Sequence, residues 1–222
     1  AVVTTGAGHP GEFMQEFAAG GIIVVPVVAS TAQAKRAVSA GAHAVIAEGY
    51  EAGGHVGELT TMALAPQVAD AVDVPVVAAG GIADGRGVAA AFCLGASGVQ
   101  LGTAFVVARE CTAHPNYKHK VLTASDSDTQ VTGRSVGHPV RALKNRFTRE
   151  LARLEREGAD PETVMSLGVG SLARAVRDGD VDRGSVMAGQ IAGLLREEKT
   201  AWEIVTGIMR EAEEVLASLG AT

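Results

Sequence analysis

Apolar residues in the first half of the chain gather into five short, unbroken runs, at residues 1–5, 22–28, 44–47, 74–79 and 98–101. Unbroken apolarity, as against alternation, predicts strands buried on both faces of a parallel sheet. Between the runs the spacing turns helical. Ser30 can cap a helix through Ala40 that stops at Gly41. Thr60 or Thr61 can cap one through Ala71, and Asp84 one through Leu94, ended by Gly95. Strand and helix in alternation predict βα units. A period of 20 to 30 residues suits a (β/α) barrel. The expected fold is α/β: a TIM-type (β/α) barrel, here a partial one of about five βα units, followed by a C-terminal helical region.

The second half reads differently. Val140, Leu143, Phe147, Leu151 and Leu154 predict one helical stripe. Ile204, Val205, Ile208, Met209, Ala212, Val215, Leu216 and Leu219 predict another. Such stripes pack on their own domain in the ordinary case; a homodimer seam is the alternative. Charge follows the same division. Residues 1–110 hold 4 Lys and Arg with 9 Asp and Glu, and residues 111–222 hold 15 and 16. The expectation is a barrel portion with the ligand site over 1–110 and a mainly helical region packed on it over 111–222.

Composition narrows the function classes. At 47% hydrophobic the chain can bury a substantial core, while 4% aromatic leaves little for stacking on bases. A net charge of -6 argues against nucleic acid or an anionic membrane as partner. No apolar run has the length of a membrane span, and no signal-peptide pattern is visible. Cys93 and Cys111 have no metal-ligand spacing and read as reduced thiols of a cytoplasmic protein. The chain opens directly on a strand-like run without an initiator Met, as the middle of a longer protein would.

The 28 glycines collect in loops after the apolar runs, and there they mark candidate chemistry. In Glu51-Ala52-Gly53-Gly54-His55-Val56-Gly57 a histidine stands among three glycines, just past a predicted strand. The C-terminal end of a parallel strand is where such folds bind ligands. Glycine lets a flat ligand approach the main chain, and imidazole titrates nearest neutrality, which suits proton transfer. A hydrogen-bonded turn histidine would account for His55 on its own. The run Val76-Val77-Ala78-Ala79-Gly80-Gly81-Ile82-Ala83-Asp84 is strand, glycine turn, helix start. Main-chain N–H groups at Gly80 and Gly81 could point at a phosphate with the next helix dipole behind them, Asp84 acting as cap. The next strand ends Gln100-Leu101-Gly102-Thr103, adding a glycine N–H and a hydroxyl. Adjacent late loops of a barrel often share one phosphate, although two tight turns would also explain them.

The other histidines are weaker candidates. His9 follows the first strand and could line a pocket or simply face solvent. His43 precedes a strand and reads as structural. His114, His119 and His138 lie among basic residues and read as surface or pocket-rim groups. Gln190, within Val186-Met187-Ala188-Gly189-Gln190-Ile191-Ala192-Gly193, could reach a ligand; close packing explains the segment equally well. No His, Asp or Glu group has metal-ligand spacing, and there is no nucleophile elbow.

Together these pieces resemble the FMN-dependent enoyl-acyl carrier protein reductases of the FabK type, which share a superfamily with the nitronate monooxygenases. The matching residues are Glu48-Gly49, residues 51–57, Leu59-Thr60-Thr61, residues 75–84 and Gln100 to Thr103. They continue through His114-Pro115-Asn116-Tyr117-Lys118, residues 137–145 and residues 184–193. The glycine-histidine and phosphate motifs are common to both branches; the later ones look like the reductase branch. The resemblance implies a TIM-type barrel that holds FMN by its phosphate at Gly80, Gly81, Gly102 and Thr103, with Gln100 nearby and Gly54 beside the ring. It implies His55 as the catalytic histidine, NADH or NADPH as reductant, and a trans-2-enoyl thioester on acyl carrier protein as substrate, in fatty-acid synthesis. Arg141, Lys144 and Arg146 could meet the acidic carrier, and a solvated helix face is the simpler reading of them. The alternatives are a nitronate monooxygenase and an inactive fragment that binds phosphate or flavin only. The family has roughly three further βα units ahead of the first one here, out of the eight that close a barrel. The expectation is therefore that these residues belong to a longer protein.

Overall fold

The unbroken apolar runs become parallel strands in the computed structural model, which describes residues 1–6, 11 and 13–220. His9 lies outside the described residues. The strands are β1 (Val2–Thr5), β2 (Ile23–Val28), β3 (Val45–Glu48), β5 (Val76–Ala79) and β6 (Gly98–Gln100). They form one parallel sheet in the order β1-β2-β3-β5-β6. Between them run α1 (Met14–Ala19), α2 (Thr31–Ser39), α3 (Thr61–Ala69) and α4 (Gly85–Cys93). Two of the three expected caps act through their side chains, while Thr60 stands at the start of α3 without a side-chain cap bond. Ser30 accepts from Gln33 N at 3.2 Å, and Asp84 accepts from Arg86 N at 3.0 Å. Gly41 and Gly95 stop their helices at positive φ, 102° and 89°, where a Cβ would be strained.

The chain divides into two compact units. The first comprises Ala1–Tyr50, Gly57–Gln100 and Ile208–Thr222, and holds the parallel sheet. Its core is Val28, Val45, Ala47, Val76, Leu64 and Val68 with the small residues of α2. β3 and β5 are mostly buried, as expected, but β2 alternates, β6 is half-buried throughout, and β1 pairs among the described residues with β2 alone, leaving Val2 63% exposed. A strand with one neighbour cannot be covered on its free edge by the sheet itself.

The second unit comprises Glu51–Val56 and Leu101–Gly207. It is less helical than its sequence suggests. The strands β4 (Gly54–His55), β7 (Thr129–Thr132) and β8 (Val140–Leu143) form an antiparallel sheet in the order β4-β8-β7. The single helical stripe expected from Val140 to Leu154 is thereby corrected. Val140 and Leu143 lie on β8, and the helix α7 (Arg146–Arg156) starts only after Asn145. Asn145 caps it: its side chain accepts from Thr148 N at 2.9 Å while Thr148 Oγ1 accepts from Asn145 N at 3.0 Å. The remaining elements are α5 (Thr103–Val106), α6 (Pro115–Leu122), α8 (Pro161–Gly168), α9 (Ser171–Val176) and a 3-10 turn at Gln190–Leu194. The division between the units falls within the last helix, α10 (Ala201–Gly220). On α10, Ile204 and Ala212 of the expected stripe are buried, while Val205, Met209, Leu216 and Leu219 are exposed. No described helix is long and apolar enough to cross a membrane.

Candidate functional site

In the first unit the candidate residues stand at the C-terminal ends of β3, β5 and β6. Glu48 is the last residue of β3 and lies opposite Ala79, the last of β5; Ala79 in turn lies opposite Gln100. Gly80 and Gly81 follow at φ 86° and 75°, the left-handed region that only glycine enters cheaply. The turn is pinned from α3. Thr61 Oγ1 donates to Gly80 O at 2.8 Å and lies 3.3 Å from Ala79 O. The fit there is tight enough that a Cβ on Gly49 would overlap Thr61 Oγ1.

The start of α4 corrects one expectation. Its dipole does not stand open behind the glycine turn. Asp84 takes the N–H groups of Arg86 and Gly87, and the Glu211 carboxylate accepts from Gly85 N at 3.0 Å. The Arg86 guanidinium beside it holds the Asp84 carboxyl below its usual range. Two carboxylates therefore already satisfy the helix end, and anion binding would rest on the glycine turn itself. Glu48 behaves oppositely. Burial pushes its carboxyl above the ordinary value, because the charged form loses water there.

The second unit holds His55, Gly54, Gly102 and Thr103. His55 is exposed, yet its backbone is fixed. On β4 it pairs with Val140 of β8, and Gly54 pairs with Arg141. Val56 N donates to Pro139 O at 3.1 Å. His138, at the end of the β7–β8 loop, presents its ring edge-on to His55, with centroids 6.4 Å apart at 86°. The loop that carries His138 is held by Glu155 of α7. Its carboxylate accepts from Gly133 N, Ser135 N and Ser135 Oγ, each at 3.0 Å. Burial alone would raise the Glu155 carboxyl; the N–H groups of Ser135 and Gly133 outweigh it and hold the group below its ordinary value.

The glycines of 51–57 and 186–193 turn out to face each other. A Cβ on Gly53 would come within 2.6 Å of Ala188 C, and one on Gly189 within 2.8 Å of Glu51 O. Gln190 N donates to Glu51 O at 2.9 Å, so the two loops pack main chain to main chain. Gly189 N also donates to Thr103 Oγ1 at 2.9 Å. Thr103 is thus buried with its oxygen engaged, whereas Gly102, just before it, is exposed with open space at its Cα. Gln190 keeps an exposed side chain. Met187 approaches Gly54, and its carbonyl receives the hydroxyl of buried Tyr117 at 2.7 Å.

The remaining expectations sort by burial. Arg141 is 3% exposed and donates to Thr129 Oγ1, so it forms no part of a basic rim; Lys144 and Arg146 are exposed. Its alternate position on β8, between Val140 and Ala142, puts it on the opposite face from those two. His43 accepts from Val24 N and His114 from Asn116 N, both structural roles. Both cysteines are free, and no metal-binding cluster occurs among the described residues. The sequence reading missed His138 as a neighbour of His55. The signal was present: the β-branched run Thr129-Gln130-Val131-Thr132 and residues 140–143 flank a loop with two glycines, a hairpin pattern.

Comparison with known proteins places this arrangement. The sequence model of the family described as nitronate monooxygenase matches residues 1–211. The solved structure of FabK from Thermotoga maritima matches with a TM-score of 0.96 at 50% identity, covering 99% of this chain and 70% of that one. A probable nitronate monooxygenase of Staphylococcus saprophyticus is 37% identical over 189 residues, covering 80% of this chain and 53% of its own. A (3aS,4S,5R,7aS)-5-hydroxy-7a-methyl-1-oxo-octahydro-1H-indene-4-carboxyl-CoA dehydrogenase of Rhodococcus jostii is 32% identical over 247 residues, covering 95% and 70%. The chain therefore spans between about half and 70% of the length of these relatives.

Proposed function

The chain belongs to the nitronate monooxygenase family, and on that premise we propose that it serves the FMN-dependent reduction of a trans-2-enoyl thioester, carried on acyl carrier protein, by NADH or NADPH. The observation that carries the reading is the 50% identity to FabK across 99% of the chain. The residues fit the cofactor on two counts. Gly80 and Gly81 form a side-chain-free turn at the C-terminal end of β5, beside Gln100 on β6. Of the carboxyl groups around that turn, Asp84 is paired with Arg86, Glu211 is engaged by Gly85 N, and burial favours the neutral form of Glu48. Gly80, Gly81, Gln100, Gly102 and Thr103 would hold the flavin, with Gly54 beside its ring. The flavin, when bound, supplies the hydride for the β-carbon of the substrate.

His55 does the rest of the chemistry in this reading. Reduction at the β-carbon leaves an enolate-like thioester that needs a hydrogen-bond donor at oxygen and a proton at the α-carbon. An exposed imidazole on a strand locked by β8 can provide either without moving its backbone. Lys144 and Arg146 remain as exposed cations for an acidic carrier.

The competing reading, oxidation of a nitronate, draws on the Staphylococcus relative. The flavin-loaded protein, reduced anaerobically with NADH, separates the two. Anaerobic reoxidation by crotonyl thioester is expected; no reoxidation by the thioester, together with O2-dependent consumption of propionate nitronate, which itself gives electrons to the oxidised flavin, would overturn the reductase reading.

A further inference from the structure

The second unit contains a cavity of about 350 Å³ between the β7–β8 hairpin and helices α7 and α8. Its floor is apolar and buried: Phe147, Leu151 and Val164. Its rim is exposed, with Met165 on one side and His138 on the other. Sheet geometry relates this cavity to His55. Val140 and Ala142 line it, and Arg141 between them does not. The cavity therefore lies on the face of β8 to which the odd partner of that alternation, Arg141, does not point. Val140 is the direct cross-strand partner of His55, and directly opposed residues of an antiparallel pair share a face. His55 thus stands on the cavity side of the sheet, and His138, which lines the cavity, meets it edge-on at 6.4 Å.

We propose that this cavity takes the alkyl chain of the acyl group, with the thioester end at His55 and the chain running past His138 along Val140 and Ala142 to Val164. The proposal rests on the enoyl thioester reading. An occupant of this chemistry suits the site: its lining carries no carboxylate, lysine or arginine, its buried part is mostly hydrocarbon with the hydroxyls of Thr132, Ser171 and Ser185, and the titratable ring at its rim belongs to the histidine pair. Pockets that bury a sizeable organic ligand begin at about 300 Å³, so this one is large enough for a medium-length alkyl chain.

Chain-length dependence tests it on the flavin-loaded protein. The kcat/KM for 2-dodecenoyl thioester should exceed that for crotonyl thioester by at least tenfold, the ceiling being about fourfold per buried methylene. Val164→Trp, which fills the floor, should reduce that ratio at least tenfold. Met165→Glu, a substitution at an exposed position that leaves the core intact, should reduce it too. Calorimetric binding of lauroyl-N-acetylcysteamine, which cannot be reduced, gives a readout independent of turnover and should weaken at least tenfold in both variants. Equal kcat/KM for both chain lengths, with lauroyl binding unchanged in both variants, overturns the cavity while leaving the reductase reading in place. Lauroyl binding that both variants weaken, without reduction of any enoyl thioester, supports the cavity and overturns the reductase reading instead.

Discussion

His55 occupies a strand only two residues long, yet its backbone is clamped by β8 and by Val56 N on Pro139 O. Its side chain takes no part in that clamp. His55→Ala should therefore keep the fold and the yellow flavin absorbance while kcat falls about 10²- to 10⁴-fold, as loss of a positioned acid or donor does. Two carboxylates make opposite pH predictions. The Glu155 carboxyl is held low, so its contribution is fully present above its unfolded value of about 4.3 and is lost as pH falls through the lowered folded value. Glu155→Gln should thus lower the thermal midpoint at neutral pH, and the gap to the parent should close in acid. The Glu48 carboxyl is raised, so its contribution is present below the unfolded value and is lost as pH rises through the folded one. Glu48→Gln should be at least as stable as the parent at pH 7, and a lower midpoint there would contradict the burial argument. Of these residues His55 was legible in the sequence because glycines isolate it. The hairpin that carries His138 has a local pattern, but its meeting with His55, 83 positions away, depends on the β4–β8 pairing, which no local pattern gives.

Elements were legible where one signal ruled and misread where two overlapped. The five parallel strands announced themselves by unbroken apolarity, and Ser30, Asp84, Gly41 and Gly95 marked helix ends as their chemistry requires. Residues 140–154 failed because β8 and α7 abut. Val140, Leu143, Phe147, Leu151 and Leu154 happen to keep a three-and-four spacing across the break, so a strand and a helix imitate one helix. Asn145 is what separates them. It caps α7 and also donates from Nδ2 to Val181 O and Gly184 O, each at 2.8 Å, while almost wholly buried. Asn145→Ala strips the cap and leaves two carbonyls without their donor, at a cost of about 2–4 kcal/mol. Urea unfolding should show an earlier midpoint; a loss under about 0.5 kcal/mol would mean water replaces the amide without penalty.

For the whole molecule the parallel sheet decides the behaviour. Among the described residues it has two edges, β1 and β6, with nothing paired beyond them, and Val2 and Ile23 stand exposed at the β1 side. An open apolar edge is a template for another strand. The 222-residue chain on its own should self-associate as concentration rises, and Val2→Lys should suppress this in sedimentation velocity; identical association in the variant would place the contact elsewhere. The partial-barrel reading rested on counting runs, which a sequence supports well. The antiparallel sheet of the second unit rests on pairings between residues 54–55 and 140–141, which a count cannot see.

The two faces of β8 also divide labour in a way that bears on descent. Arg141 is locked inside on one face, where few replacements would fold; Val140 and Ala142 face a cavity whose far wall is built by α7 and α8. Those two helices contribute none of the residues assigned to the flavin or to proton transfer. Changes there can accumulate as neutral drift, altering which molecules fit while the reaction stays the same. A lineage could thus diversify its diet without ever passing through an inactive ancestor.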